Sequence, residues 1–293
     1  MFDKLKANIL FHALLKRPDI QKAYKMVGPE DSWYDTITTV HNSLAKIREF
    51  PHEELQITAS DGCKLHALYY PGSSNRTMVW VHGYTSHAER ESAFPGLFYH
   101  SLGFNVLIPY LRAHGPSEGK YISLGPLEAT DLKKWVALLN QKHPDGQILL
   151  HGLSMGGGIV LDLAAEELEN VRCIVADAPS CSVSGLFRDV ASHTFQKDHE
   201  GVLNDLYRRY EREFGADARK FDWIETIRNS RYPLLLSAGS NENMEDNLEK
   251  IRTNNPMDTR VLILPGCNHG NGMYKQTELY QTAIKEFVGE YMK

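Results

Sequence analysis

The sequence predicts an α/β fold: one mostly parallel sheet of eight strands with helices on both faces. Three observations predict it. From about residue 53, short β-branched or apolar runs alternate with longer helical patterns. Four of those runs, 78–82, 105–109, 147–151 and 171–176, are almost continuously apolar, as strands buried on both faces require. Two earlier runs, 54–59 (ELQITA) and 64–70 (KLHALYY), alternate in polarity around Ser60-Asp61-Gly62, which reads as an antiparallel hairpin at one edge of the sheet.

Each element follows in order. Residues 1–52 precede the rhythm and are expected to form an N-terminal helical extension. Within it Phe2, Leu5 and Ile9 share a helical face that would pack on the domain in preference to a membrane surface. Residues 53–293 form the main domain. Helices over 89–102, 126–141 and 154–168 separate the four buried strands, strands at 233–238 and 260–264 follow, and a helix over 275–292 closes the chain. Residues 181–231 interrupt this order. They contain no strand pattern, but carry Phe187, Leu203, Leu206, Tyr207, Tyr210 and Phe214 at helical spacings. They are expected to be a helical cap inserted after the sixth strand, with most of these side chains on buried helix faces and a minority shaping a substrate pocket.

Composition narrows the function. The 293 residues are 42% hydrophobic, so a large core is available. Thirty-two Lys and Arg against 37 Asp and Glu give a net charge of −5, far from the basic footprint of a nucleic-acid binder. No apolar run approaches the roughly 18 residues that a membrane helix needs. Residues 8–15 (NILFHALL) come nearest to a targeting signal, but Asp3 precedes them and Lys16-Arg17-Pro18 follow, so a cytoplasmic protein is expected. The four cysteines, Cys63, Cys173, Cys181 and Cys267, form no C-x-x-C pair and read as reduced structural thiols. There is no H-E-x-x-H, EF-hand loop or G-x-G-x-x-G, and residues 115–120 (GPSEGK) fall one residue short of a phosphate-binding loop. No cofactor, metal or nucleotide is implied.

The chemistry begins at Gly152-Leu153-Ser154-Met155-Gly156, directly after the strand QILLH and directly before a helical run. A nucleophile elbow needs that context, because the serine occupies a strained turn and the glycines let neighbouring segments approach closely. His82-Gly83-Tyr84-Thr85 ends the strand TMVWV. Acyl transfer needs two backbone N–H donors for the developing oxyanion, and the candidates are those of Met155 and Tyr84. His82 itself reads as a structural, hydrogen-bonded histidine. A serine hydroxyl needs an imidazole to accept its proton. Of the thirteen histidines, His269 follows the last strand at the expected end of the sheet, in Cys267-Asn268-His269-Gly270.

These motifs resemble the α/β-hydrolase superfamily over roughly residues 53–293. Residues 111–119 (LRAHGPSEG) resemble the R-G-H-G-x-S-x-G loop of its bacterial esterase, monoacylglycerol-lipase-like and serine-aminopeptidase-like branches, with Ala113 in place of the usual glycine. The resemblance implies the order serine, acid, histidine, and makes His114 a decoy for the base. It places the acid after the penultimate strand, three residues beyond a glycine. Counted from Gly239, that position holds Glu242, a glutamate whose longer stem requires a shifted backbone. Asp246 and Asp177 remain alternatives. The implied activity is a cofactor-independent serine hydrolase acting on a small-molecule carboxylic ester through an acyl-enzyme. Amide or thioester cleavage on the same residues, and a binding protein whose catalysis has been lost, are the rival readings.

Overall fold

The computed structural model describes residues 2–19, 31, 33–180, 182–195, 199–221 and 223–293. Cys181, counted above among the thiols and as the first residue of the insertion, lies outside them. Eight strands form one sheet: β1 (Glu53–Thr58), β2 (Lys64–Tyr70), β3 (Arg76–Val81), β4 (Asn105–Pro109), β5 (Gln147–Leu153), β6 (Val171–Asp177), β7 (Leu234–Gly239) and β8 (Thr259–Leu264). Their spatial order is β1-β2-β4-β3-β5-β6-β7-β8. The hairpin β1–β2 lies at one edge and pairs antiparallel with β4, and every later pair is parallel. The predicted fold class is therefore the observed one.

The apolar runs work as two-sided strands. Ile148 and Leu150 of β5 enter one core while Leu149 and Leu153 enter the other, and Val79 and Val81 of β3 oppose Met78 and Trp80 in the same way. The helices, in chain order, are α1 (Phe2–Leu15), α2 (Ile37–Ile47), α3 (Ala88–Ser101), α4 (Pro126–Lys142), α5 (Met155–Asp162), α6 (Val183–Phe195), α7 (Glu200–Phe214), α8 (Trp223–Ile227), α9 (Glu245–Asn254), α10 (Gly272–Lys275) and α11 (Thr277–Tyr291). Helices α4 and α5 cover one face, and α3 and α11 the other.

Two helix boundaries differ from expectation. Helix α5 stops at Asp162 because the chain must turn to enter β6 nine residues later. Its exit tightens into bonds from Ala164 N to Leu161 O and from Glu166 N to Leu163 O, 3.0 Å each. The closing helix is broken at Gln276, which ends α10 and starts α11 with φ −116° and ψ 45°.

A third, smaller core lies outside the sheet. Ala7, Leu10, Phe11 and Leu15 of α1 pack against Val183, Phe187, Val202, Leu203, Leu206 and Tyr210 of α6 and α7. This reverses the expected face of α1. Phe2, Leu5 and Ile9 are 80%, 59% and 59% exposed. The helix carries two apolar stripes, and its packing against α7 uses the one that contains Phe11.

Candidate active site

Strand β5 and helix α5 meet at Ser154, which holds φ 57° and ψ −115°, a strained conformation for a residue with a side chain. The neighbouring glycines make the turn sterically available. A Cβ on Gly156 would stand 1.8 Å from the Val81 carbonyl oxygen, and one on Gly152 would stand 2.1 Å from that of Gly156. The turn is pinned by Ser154 N–H to the Asp177 carbonyl at 2.8 Å, and by the N–H groups of Gly158 and Ser180 to the Ser154 carbonyl at 3.1 and 3.0 Å. Met155 opens α5, so its N–H belongs to the first helical turn, which has no acceptor within the helix.

The loop after β8 brings His269 to this turn from 115 residues away, with Nε2 2.9 Å from Ser154 Oγ. On the other side of the ring, Nδ1 lies 2.6 Å from Glu242 Oε2. A carboxylate only accepts, so Nδ1 donates and Nε2 is left to accept from the serine hydroxyl. The second oxygen of Glu242 accepts from Gly239 N–H at 2.7 Å. Glu242 ends a 3-10 turn, Ser240–Glu242, which is followed by Asn243 in the left-handed region at φ 54°. The Glu242 side chain is 7% exposed and that of His269 57%.

The other candidate acids lie elsewhere. Asp246 is exposed in the first turn of α9. Asp177 is buried, with Oδ2 3.0 Å from His151 Nε2, and it also accepts from the hydroxyls of Tyr280 and Ser237. His82 is fully buried. Its Nε2 accepts from Leu111 N–H at 3.2 Å while Nδ1 faces the Gly83 carbonyl at 2.9 Å, which defines one neutral tautomer. Burial, and secondarily His114, hold the His82 ring well below the ordinary histidine range. His114 is likewise buried, with Nδ1 2.9 Å from the Arg112 carbonyl. Its loop is held by Arg112, which grips Asp131 at 2.8 and 3.0 Å and Asp61 at 2.9 Å. Ala113, in the usual glycine's place, sits at φ 60°.

A cavity of about 340 Å³ opens onto Ser154 and His269. Tyr84, Thr85 and Ser86 of the loop after β3 line one wall, and Trp33, Ile37 and Val40 line another. No described residue of 182–231 lines it, whereas the insertion was expected to supply pocket wall. The aromatics of α6 and α7 are engaged with α1 instead.

Sequence reasoning missed Glu91, which also lines this cavity. Its carboxylate accepts from Gly83 N–H at 3.1 Å and Trp80 Nε1–H at 3.0 Å, tying α3 to the loop that carries Tyr84. Burial pushes this carboxyl up to about 7, against the hydrogen bonds from Ser86, Trp80 and Gly83 that pull it down. The available signal was an acidic residue in the first turn of the helix that follows the HGYT loop. Among the described residues no group of three or more His, Cys, Asp or Glu could hold a metal ion, and no helix is long and apolar enough to cross a membrane.

An elbow serine between strand and helix, on a sheet of this order, defines an α/β hydrolase. The family model described as serine aminopeptidase, S33, matches residues 72–224, and the chain belongs to that family. The uncharacterised Bacillus subtilis protein YqkD is 37% identical over 111 residues, which cover 37% of this chain and 36% of that protein, so the chain spans about a third of that relative's length. Among solved structures, the Pyrococcus furiosus esterase Pf2001 superposes with a TM-score of 0.67 at 24% identity, covering 85% of this chain and 94% of that one. Est1E from Butyrivibrio proteoclasticus, solved with ferulic acid bound, gives 0.64 at 19% identity, covering 81% and 99%.

Proposed function

We propose that this protein is a cofactor-independent serine hydrolase that cleaves carboxylic esters through an acyl-enzyme. Ser154 Oγ attacks the ester carbonyl carbon as its proton passes to His269 Nε2. The N–H groups of Tyr84 and Met155 hold the resulting oxyanion. The C–O bond to the alcohol then breaks, and His269 returns the proton to that oxygen. Water attacks the acyl carbon by the same route, with its proton taken by His269, and the acid leaves as Ser154 is regenerated. Glu242 keeps His269 in the tautomer that accepts at Nε2 and stabilises the imidazolium.

The observation that carries this reading is the unbroken chain of hydrogen bonds from Glu242 through His269 to Ser154, at 2.6 and 2.9 Å, ending on a serine in a strained turn. Ester substrates are favoured over amides by the esterase name of the structural neighbour Pf2001. The three described cysteines, Cys63, Cys173 and Cys267, are free thiols, which supports a cytoplasmic setting. The test is Ser154→Ala in the purified protein. The variant should lose about 10⁴-fold or more in turnover of p-nitrophenyl acetate and all labelling by a fluorophosphonate, at unchanged melting temperature. A variant that keeps a tenth of the wild-type kcat refutes the proposal.

A further inference from the structure

Trp33, Ile37, Val40, Leu44 and Ile47 recur at helical spacing along the 3-10 turn Tyr34–Thr36 and α2. The far half of this stripe is anchored on the sheet domain. Ile47 is buried in the core beneath α3, its Cδ1 3.0 Å from where a Cβ on Gly96 would stand. Beside it Arg48 donates to both carboxylate oxygens of Glu89, at 2.7 and 2.6 Å.

The near half does something else. Val40 is only 5% exposed, yet it belongs to none of the three cores; it faces the cavity that holds Ser154 and His269, as do Ile37 and Trp33. The Trp33 ring meets Tyr274 edge-on at 5.6 Å, and its Cζ2 lies 3.1 Å from where a Cβ on Gly270 would stand, one residue after His269. This wall is therefore braced at one end by α3 and at the other by the loop that carries His269. A wall held at both ends discriminates by size, because it cannot yield to an oversized group without disturbing packed neighbours.

We infer that Trp33, Ile37 and Val40 determine which substrates Ser154 accepts, and that they receive an apolar ester substituent of about the size of one ring or a short to medium alkyl chain. The inference rests on the hydrolase reading above. Its chemistry follows from the side chains: an indole, an isoleucine and a valine offer contact area and no ionised group. Its size follows from the cavity, whose 340 Å³ falls near the lower end of the roughly 300–1,000 Å³ of small-molecule sites. The wall comes from the segment before the sheet, and the inserted helices α6 and α7 contribute nothing described to it.

The test measures kcat/KM for two ester series on the full chain: p-nitrophenyl esters of graded acyl length, and acetates of graded alcohols. Ile37→Ala should move the optimum of one series toward longer or bulkier groups. Val40→Phe should cut turnover of butyl and larger substituents in that series at least tenfold, at about fourfold per methylene denied contact. Methyl acetate, too small to reach the wall, should stay within threefold. Tyr207→Ala, on the inserted helices, should leave both preferences unchanged. If neither wall variant shifts either series while the fluorophosphonate still labels Ser154, the inference is overturned and the hydrolase reading stands. A shift with Tyr207→Ala as large as with Ile37→Ala also overturns it. Wild-type protein that the probe does not label overturns the hydrolase reading and this inference with it. Should Val40→Phe not fold, Ile37→Ala and Trp33→Phe carry the test alone.

Discussion

Replacing Glu242 with glutamine removes one charge and almost no volume, and the geometry limits what the amide can do. Glu242 uses its oxygens in two directions, accepting from Gly239 N–H at 2.7 Å and from His269 Nδ1–H at 2.6 Å. A glutamine has one accepting end. If its oxygen stays on Gly239, its NH₂ faces Nδ1, the ring proton moves to Nε2, and the nitrogen beside Ser154 can no longer take a proton. If the amide is reversed, His269 keeps its tautomer but the Gly239 N–H meets another donor, a loss of about 1–3 kcal/mol, and the imidazolium formed in the reaction has no counter-charge. Both orientations are poor, so kcat should fall about 10³- to 10⁴-fold. Glu242→Asp shortens the stem by one bond, about 1.5 Å, and cannot span both partners from the same backbone. It should lose about 10- to 100-fold, less than glutamine, because the charge remains. The assay is kcat on p-nitrophenyl acetate at matched protein concentration, with melting temperatures showing that each variant is folded. If Glu242→Gln keeps kcat within tenfold of wild type, or if Asp177→Asn costs as much at an unchanged melting temperature, Glu242 is not the acid.

Glu91 makes a prediction about pH. Its carboxyl is raised from 4.5 to about 7 in the fold, so between those values the folded chain holds a proton that the unfolded chain has released, and stability falls as pH rises through the window. The full penalty, about 3 kcal/mol, is present above pH 7. Glu91→Gln, whose amide oxygen can still accept from Trp80 and Gly83, should raise the urea midpoint at pH 8 and leave it nearly unchanged at pH 4.5. An equal effect at both pH values would contradict the assignment. Gly156→Ala should destabilise by about 3 kcal/mol or more, at the upper end of overpacking costs, because its Cβ meets the backbone carbonyl of Val81 at 1.8 Å; a melting temperature within a degree of wild type would refute this. Asp246→Asn should leave kcat within twofold, because the residue is exposed and His269 Nδ1 is already held by Glu242; a loss above tenfold would reopen the question of the acid.

Local pattern was sufficient wherever one segment carries its own signal. The two-sided strands, the edge hairpin and the elbow at Ser154 are each written in a few consecutive residues, because strand burial and strained turns restrict side chains locally. His269 and Glu242 were legible through position after a strand, since this fold presents loop residues at one end of its sheet. Tertiary structure decided what depends on which surface meets which. Helix α1 has two apolar stripes, and only its docking on α7 selected the one containing Phe11. The aromatics of 182–231 read mostly as buried helix faces with a minority left to shape a pocket, and which surface they would pack on was decided by α1, which took them into a core of its own. Trp33, Ile37 and Val40 carry an ordinary helical stripe, and nothing within the segment says that its near half faces Ser154 and its far half the core beneath α3. Glu91 titrates unusually only because β3, the loop after it and α3 enclose the carboxyl together. Periodicity specifies that a face is apolar, whereas the partner of that face is set by the closing of the whole chain.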